Sequence, residues 1–345
     1  MHYLVTGHTG FKGAWLALML IERGHTVSGL ALEPVAGSLY ERTRLSELLR
    51  HDLRVDIRDP DATREAVAEA RPDVVLHLAA QALVRESYRD PRYTYETNAL
   101  GTLSVLQAVE RTPGVKAQVV ITTDKVYRNV NQIWGYRESD ALGGVDPYSA
   151  SKAAADLITQ SWMAGAGRDV PTAIARAGNV IGGGDVCAER LMVDLVAAFS
   201  AGTPVRLRYP DAVRPWQHVL DCLNGYLDLT EALLRGEQSG HAFNFGPGTA
   251  SFVAVGAVAT AVAALWGPGC VVELDSGAHV HEAGLLALDS RKAQLELGWR
   301  DRLPFTDALA WTVAWEKRVR AGDDPRAVTV EQIREFAHLA PGRGQ

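Results

Sequence analysis

Tyr3-Leu4-Val5-Thr6-Gly7-His8-Thr9-Gly10-Phe11-Lys12-Gly13, followed by the apolar run Ala14–Ile21, is a strand, a glycine turn and a helix in direct succession. Glycines 7, 10 and 13 let the backbone turn tightly, approach a pyrophosphate and pack the helix on a sheet, while the helix amino terminus favours phosphate charge. Short apolar runs at Val27–Leu32, Val74–Leu78, Val119–Thr122 and Thr172–Arg176 then alternate with helical segments. That alternation predicts an α/β chain with a Rossmann-type doubly wound parallel sheet. Beyond Gly182-Gly183-Gly184 the rhythm gives way to irregular loops, a helix over Leu191–Ala201 and a strand at Val205–Leu207, which reads as a smaller, interleaved substrate-binding lobe. The expected division is a dinucleotide-binding domain over 1–180, with a return to the main sheet near 240–250, and a substrate-binding lobe over most of 181–345.

Gly7, Thr9, Gly10, Phe11 and Gly13 are the expected phosphate turn. The second strand, His25–Leu32, ends without the acidic residue that accepts adenosine ribose hydroxyls; Leu32 stands about there and Glu33 follows. No arginine at that strand end invites the extra phosphate of NADP, so NAD is the expected cofactor. Arg42 and Arg44 lie downstream and read more simply as solvated helix charges. Asp56-Ile57 is placed to meet the adenine, and Leu78, Ala79 and Ala80 end a strand where the dinucleotide would cross the sheet.

Two segments carry the chemistry: Thr122-Thr123-Asp124-Lys125 and Asp146-Pro147-Tyr148-Ser149-Ala150-Ser151-Lys152. Tyr148 and Lys152, four residues apart, project from one helical face. Asp146 suits the cap of that helix and Pro147 its first position. An ammonium beside a phenol favours phenolate, so Tyr148 is the expected base when a substrate hydroxyl is oxidised, activated by Lys152. By itself Y-x-x-x-K also describes an exposed tyrosine and a solvated lysine. Asp124-Lys125 adds an acid-base pair, which suggests elimination.

At 345 residues, 47% hydrophobic and 22% charged, the chain can bury a large core. A net charge of -6 gives no footprint for nucleic acid or a membrane surface. Cys187, Cys222 and Cys270 have no paired spacing, which argues for a reducing compartment and against a zinc site or disulfide framework. Ten histidines show no H-E-x-x-H or clustered pattern, so no metal is expected. The apolar stretch Ala254–Trp266 is too short to span a bilayer. With no signal peptide before the first strand, a cytoplasmic enzyme is expected.

The glycine turn, Asp124-Lys125 and Tyr148/Lys152 together resemble the extended short-chain dehydrogenase/reductase superfamily, in its nucleotide-sugar branch. The strings TGHTGFKGAWLALML, VDIRD, HLAAQALVRESY, TTDKVYRN, GYRESDALGGVDPYSASKAAAD, AGNVIGGGD and RPWQHVLD are similar to the CDP-glucose 4,6-dehydratase family over residues 1 to about 230. NFGP, HEAGLLALD and LGW extend the resemblance to about residue 300. It implies an NAD-dependent lyase that makes CDP-4-keto-6-deoxyglucose from CDP-glucose. Tyr148, activated by Lys152, would take the 4-hydroxyl proton as hydride leaves carbon 4. Lys125 would handle the carbon 5 proton, Asp124 would protonate the departing 6-hydroxyl, and hydride would return to carbon 6. Acting as a base requires Lys125 to have a lowered pKa. Thr123 would hydrogen-bond the 4-hydroxyl.

Asn179 resembles the asparagine that contacts the substrate diphosphate, with Arg190 and Arg214 as charge partners. His218 and Asn244 are candidates for the same pocket, with packing or loop bonding as the alternative for each. Val186 stands where an aromatic is expected, and Met192-Val193 where Ile-Pro is expected; both flank the nucleotide pocket. Another nucleotide-sugar dehydratase or epimerase on this scaffold, and a non-catalytic dinucleotide sensor, are the competing readings. Asp124-Lys125 argues against the epimerase and the intact Thr123, Tyr148 and Lys152 against the sensor. Leu100, Leu103, Leu106, Ala154, Leu157 and Ile158 form apolar stripes at helical spacing. In the superfamily the corresponding helices pair across a two-fold axis, which implies a homodimer or higher oligomer.

Overall fold

The computed structural model describes residues 1–165, 169–274 and 286–340, so His281–Leu285 of the string HEAGLLALD lie outside the described residues. The strands, in chain order, are β1 (His2–Thr6), β2 (Thr26–Ala31), β3 (Asp52–Arg54), β4 (Val74–His77), β5 (Ala117–Ile121), β6 (Thr172–Ala177), β7 (Val180–Ile181), β8 (Val205–Leu207), β9 (Val213–Pro215), β10 (Gln217–His218), β11 (Ala242–Phe245), β12 (Phe252–Ala254) and β13 (Val272–Leu274). Seven of them form the central sheet in the order β11-β6-β5-β4-β1-β2-β3. Every pairing in it is parallel. Strands β1, β4, β5 and β6 are buried along their whole length, which is why most of their residues are apolar on both faces, while the polar ones such as His77 and Arg176 are hydrogen-bonded inside.

The strand order reverses between β1 and β4, and in open sheets of this kind a ligand crevice opens beyond the carboxyl ends of the strands at that point. One core gathers helices Phe11–Glu22 and Val219–Leu234 on the sheet; a second gathers Pro60–Ala70 and Gly101–Glu110. Strand β11 joins the sheet beside β6, in the segment where the sequence predicts a return. The segment that carries Leu100, Leu103 and Leu106 is helical without interruption from Pro91 to Glu110, with a wider π-helical stretch at Glu96–Leu100.

The remaining strands pair off in small units, β7 with β10, β9 with β12 and β8 with β13. Helices Phe305–Arg320 and Pro325–His338 then return to the beginning of the chain. Arg334 Nε donates to Glu22 at 2.8 Å, and Arg326 NH2 to Glu47 at 2.7 Å. Trp315 fills the space that a side chain at Gly183 would need, and Gly184 N donates to Glu316 at 2.8 Å. No described helix is long and apolar enough to cross a membrane.

Candidate active site

The glycine turn is closed below and open above. A Cβ on Gly13 would stand 2.2 Å from Gly7 O, and one on Gly7, whose φ is +74°, would stand 2.8 Å from Ala79 N. A Cβ on Gly10 would meet nothing closer than Gly7 O at 3.4 Å, and Gly10 is exposed. Space for one added atom above the first N–H groups of helix Phe11–Glu22 is what a phosphate oxygen requires, so these residues fit a dinucleotide. Thr9 Oγ1 donates to Leu32 O at 3.2 Å, tying the turn to the end of β2. Leu78 N and Ala79 N each donate to Thr6 Oγ1 at 3.1 Å; with Ala80 they form the half-buried end of β4.

One expectation about the adenosine end changes. An arginine does stand there: Arg54 of β3 is paired in register with Ala31 of β2. It is occupied, donating to Asp52 Oδ1 at 2.6 Å, to Tyr40 OH at 2.6 Å and to Glu33 Oε2 at 3.2 Å. Two carboxylates thus offset its charge, so its presence does not argue for NADP. Burial alone would raise the Asp52 carboxyl, but donors from His8, Tyr40 and Arg54 outweigh it and hold that group well below its usual range. Ile57 is 4% exposed and packed where Gly101 leaves room, and Asp56 is held by Arg58. Arg42 lies over Trp315 and Arg44 pairs with Asp324, both serving the packing of the late helices.

The reacting groups converge at the end of β5. Asp146 Oδ1 accepts from Ser149 N at 2.9 Å, capping helix Pro147–Ala164 and presenting Tyr148 and Lys152 inward. Thr123 caps the short turn Asp124–Val126; its Oγ1 donates to Asp124 Oδ1 at 2.8 Å, and Lys125 Nζ donates to the same oxygen at 3.1 Å. Lys152 Nζ donates to Ile121 O at 3.0 Å. Burial brings the Lys152 ammonium down to about 8, helped by the charge of Lys12 and opposed by Asp156.

The phenol does not behave as the sequence led us to expect. Burial raises the Tyr148 pKa above its ordinary value, and the cation that most opposes the rise is Lys125, with Thr123 and Arg190 assisting. Lys125 is pulled down by burial but raised further by Asp124 and Tyr148, so its net shift is upward, contrary to what a simple base needs.

On the substrate side, Asn179 is half-buried just before β7. Arg190 stands just before helix Leu191–Ala201, lies 3.6 Å from Asp185 and acts electrostatically on Tyr148; Arg214 acts on Lys125. Arg190 and Arg214 therefore share the neighbourhood of Tyr148 and Lys125. His218 and Asn244 do not join them. His218 is fully buried between Trp15 and Trp311, caps helix Val219–Leu234, and is held neutral by burial, at about 3. Asn244 accepts from Tyr127 OH at 2.7 Å and donates to Tyr136 O at 2.8 Å. Both are wholly buried, His218 among the tryptophans and Asn244 against Tyr127 and Tyr136 on the face opposite Phe243 and Phe245, which fits the packing alternative for each. Of the two departures, Val186 is on the exposed rim and Met192 is buried.

Lys12 is a residue the sequence reading missed. It donates to Tyr226 OH at 2.8 Å and its charge reaches Lys152. The available signal was a cation at the positive end of a helix, an electrostatic conflict that needs a reason. His77, bonded to Thr6 and Thr102 and held neutral by burial at about 3, also stands within the field of Lys152.

The sequence profile described as "NAD dependent epimerase/dehydratase family" matches residues 3–246. The chain belongs to that family. Within the epimerase/dehydratase family, it is 41% identical over 341 residues to a CDP-glucose 4,6-dehydratase of Salmonella typhimurium, covering 96% of this chain and 95% of the relative. It is 32% identical to a dTDP-glucose 4,6-dehydratase of Streptomyces griseus, covering 94% of this chain and 96% of that one. Among solved structures it is similar to a dTDP-glucose 4,6-dehydratase from Streptomyces venezuelae with NAD bound, at 27% identity and a TM-score of 0.78, covering 94% of this chain and all of the other.

Proposed function

We propose that this chain is an NAD-dependent nucleotide-sugar 4,6-dehydratase that converts CDP-glucose to CDP-4-keto-6-deoxyglucose. The observation that carries the reading is the Asp124–Lys125 contact at 3.1 Å, set beside the buried Tyr148 in one site. Oxidation needs Tyr148 and Lys152 alone; the further acid-base pair has a use in eliminating water. The 41% identical relative named as a CDP-glucose 4,6-dehydratase supports the nucleotide.

NAD, when bound by Gly7, Gly10, Gly13 and the end of β4, supplies the two-electron acceptor that serves carbon 4 and later carbon 6. Tyr148 takes the 4-hydroxyl proton, with Thr123 holding that oxygen. The resulting ketone acidifies carbon 5. Passage of one proton from Lys125 to Asp124 along their hydrogen bond makes Lys125 a base for carbon 5 and Asp124 an acid for the departing 6-hydroxyl. Asn179, Arg190 and Arg214 would hold the diphosphate, guanidinium forks matching phosphate oxygens.

In this reading residues 1–180 with β11 bind the dinucleotide and most of 181–345 binds the substrate, in a cytoplasmic enzyme with free Cys187, Cys222 and Cys270. Leu100 and Leu157 are 56% and 54% exposed, whereas Leu106 is buried. The outward pair supports a homodimer built on these helices, which light scattering at micromolar concentration tests.

A panel of nucleotide-glucoses tests the reaction. CDP-glucose should lose one water with no net consumption of NAD. Stoichiometric reduction of NAD, or clear preference for another nucleotide, would overturn the reading; a change of configuration at carbon 4 without loss of water would favour an epimerase.

A further inference from the structure

The guanidinium of Arg54 lies in the angle between the glycine turn and the end of β2. Its NH1 stands 3.3 Å from Nε2 of His8, which sits inside the turn between Gly7 and Thr9. Its Nε donates at 3.2 Å to Glu33, two residues past Ala31, the last residue of β2. Turn and strand end are themselves joined there by the hydrogen bond from Thr9 to Leu32 O. In a dinucleotide-binding sheet the adenosine ribose lies at the end of the second strand, and an arginine beside it accommodates the 2′-phosphate of NADP.

Two carboxylates share Arg54, and they do different things. Asp52, in the same strand, takes NH1 at 2.6 Å and NH2 at 3.1 Å and is held in turn by His8 at 2.7 Å and by Tyr40, so it works inside the protein. NH2 also donates to Tyr40 OH at 2.6 Å. What remains of the guanidinium is Nε, and Glu33 covers it with a side chain 81% exposed and tied to nothing else among the described residues. An exposed ion pair of this kind adds little to stability. Against a phosphate it does more, since it sets a negative charge beside the ribose and withdraws the free edge of the arginine.

We propose that Glu33 is the residue by which this chain selects NAD over NADP, and that Arg54 is a 2′-phosphate site held shut by that carboxylate. The assignment rests on the dinucleotide reading of the glycine turn and is independent of which nucleotide sugar is the substrate.

The test measures dissociation constants of NAD and NADP by calorimetry on the full-length protein without substrate. NADP should bind the parent at least about tenfold more weakly than NAD. In Glu33→Gln the NADP constant should fall about tenfold, and the gain should shrink as salt is raised, because lost repulsion and a freed guanidinium both act through charge. Glu33→Asp keeps the charge and should keep the preference for NAD. Arg54→Met added to Glu33→Gln should abolish the gain. If that double variant does not fold, Arg54→Lys in its place keeps the charge without the fork and should retain only part of the gain. Equal affinities in the parent, an unchanged NADP constant in Glu33→Gln, or equal tightening toward both dinucleotides would overturn the assignment. So would a shift that comes wholly from weaker NAD, which would make Glu33 an acceptor of ribose hydroxyls instead. A gain undiminished by loss of Arg54 would overturn the phosphate site. A parent that binds neither dinucleotide would overturn the dinucleotide reading itself, and the assignment with it.

Discussion

Lys152 Nζ stands 3.0 Å from the carbonyl oxygen of Ile121, the last residue of β5 and two residues before Thr123. The lysine on the helix is thereby tied to the strand that delivers Thr123, Asp124 and Lys125. Tyr148 and the elimination pair are thus placed by one helix–strand junction, and a shift of either element would misalign oxidation and elimination together.

Tyr148→Phe and Asp124→Asn should fail at different steps. Without the phenol, carbon 4 is not oxidised and CDP-glucose returns unchanged. The asparagine variant should still oxidise carbon 4 but release water slowly, because its acid is gone. Quenching with borodeuteride followed by mass spectrometry should then find deuterium at carbon 4 of a hexose that has lost no water, in the asparagine variant alone. The same labelling in both variants would show these roles to be misassigned.

The lowered pKa of Lys152 predicts a pH signature in the protein free of cofactor. Its folded value of about 8 lies below the unfolded 10.5, so between those limits the unfolded chain binds more protons and folding stability rises with pH. The slope is at most about 1.4 kcal/mol per pH unit. Lys152→Met abolishes it, so the stability difference between parent and variant in denaturant should move toward the parent from pH 8 to 10. A flat difference would mean that the lysine keeps its ordinary affinity for protons.

Two glycines of one turn should separate folding from binding. Gly13→Ala puts a Cβ against the Gly7 carbonyl and should destabilise by about 1–3 kcal/mol. Gly10→Ala meets no more than an ordinary contact with Gly7 O, so it should change stability by less than about 1 kcal/mol while weakening NAD about tenfold or more. Thermal melts with and without NAD report both.

Arg176 and Asp156, 1% and 0% exposed, meet at 2.7 Å beneath the sheet end. Asp156→Asn leaves a buried cation without its counter-charge and should cost about 3–5 kcal/mol. Arg176→Met combined with Asp156→Leu should cost much less, since both charges go. Urea unfolding measures each.

The glycine turn and the Tyr148/Lys152 helix were legible in the sequence because their geometry is local: a fixed spacing, a cap and a proline specify them. The facing of His218 and Asn244 was not legible, because a strand of two to four residues carries too few alternations to show which side is inward. Arg54 was missed for another reason. It reaches the end of β2 from a neighbouring strand, through a pairing that spans more than twenty positions of chain. The pKa shifts of Tyr148 and Lys125 depend on burial and on distant charges, which spacing along the chain does not encode.

The clasp of helix Pro325–His338 on Phe11–Glu22 has a consequence for biosynthesis. The helix that opens at the glycine turn packs on Leu39–Arg42 and Val219–Leu234 and, through Arg334, on Pro325–His338, so segments some 300 positions apart share one folding unit. A chain terminated before Pro325 lacks part of the cover of the helix that carries the phosphate turn, and should be cleaved by proteases faster than the whole protein.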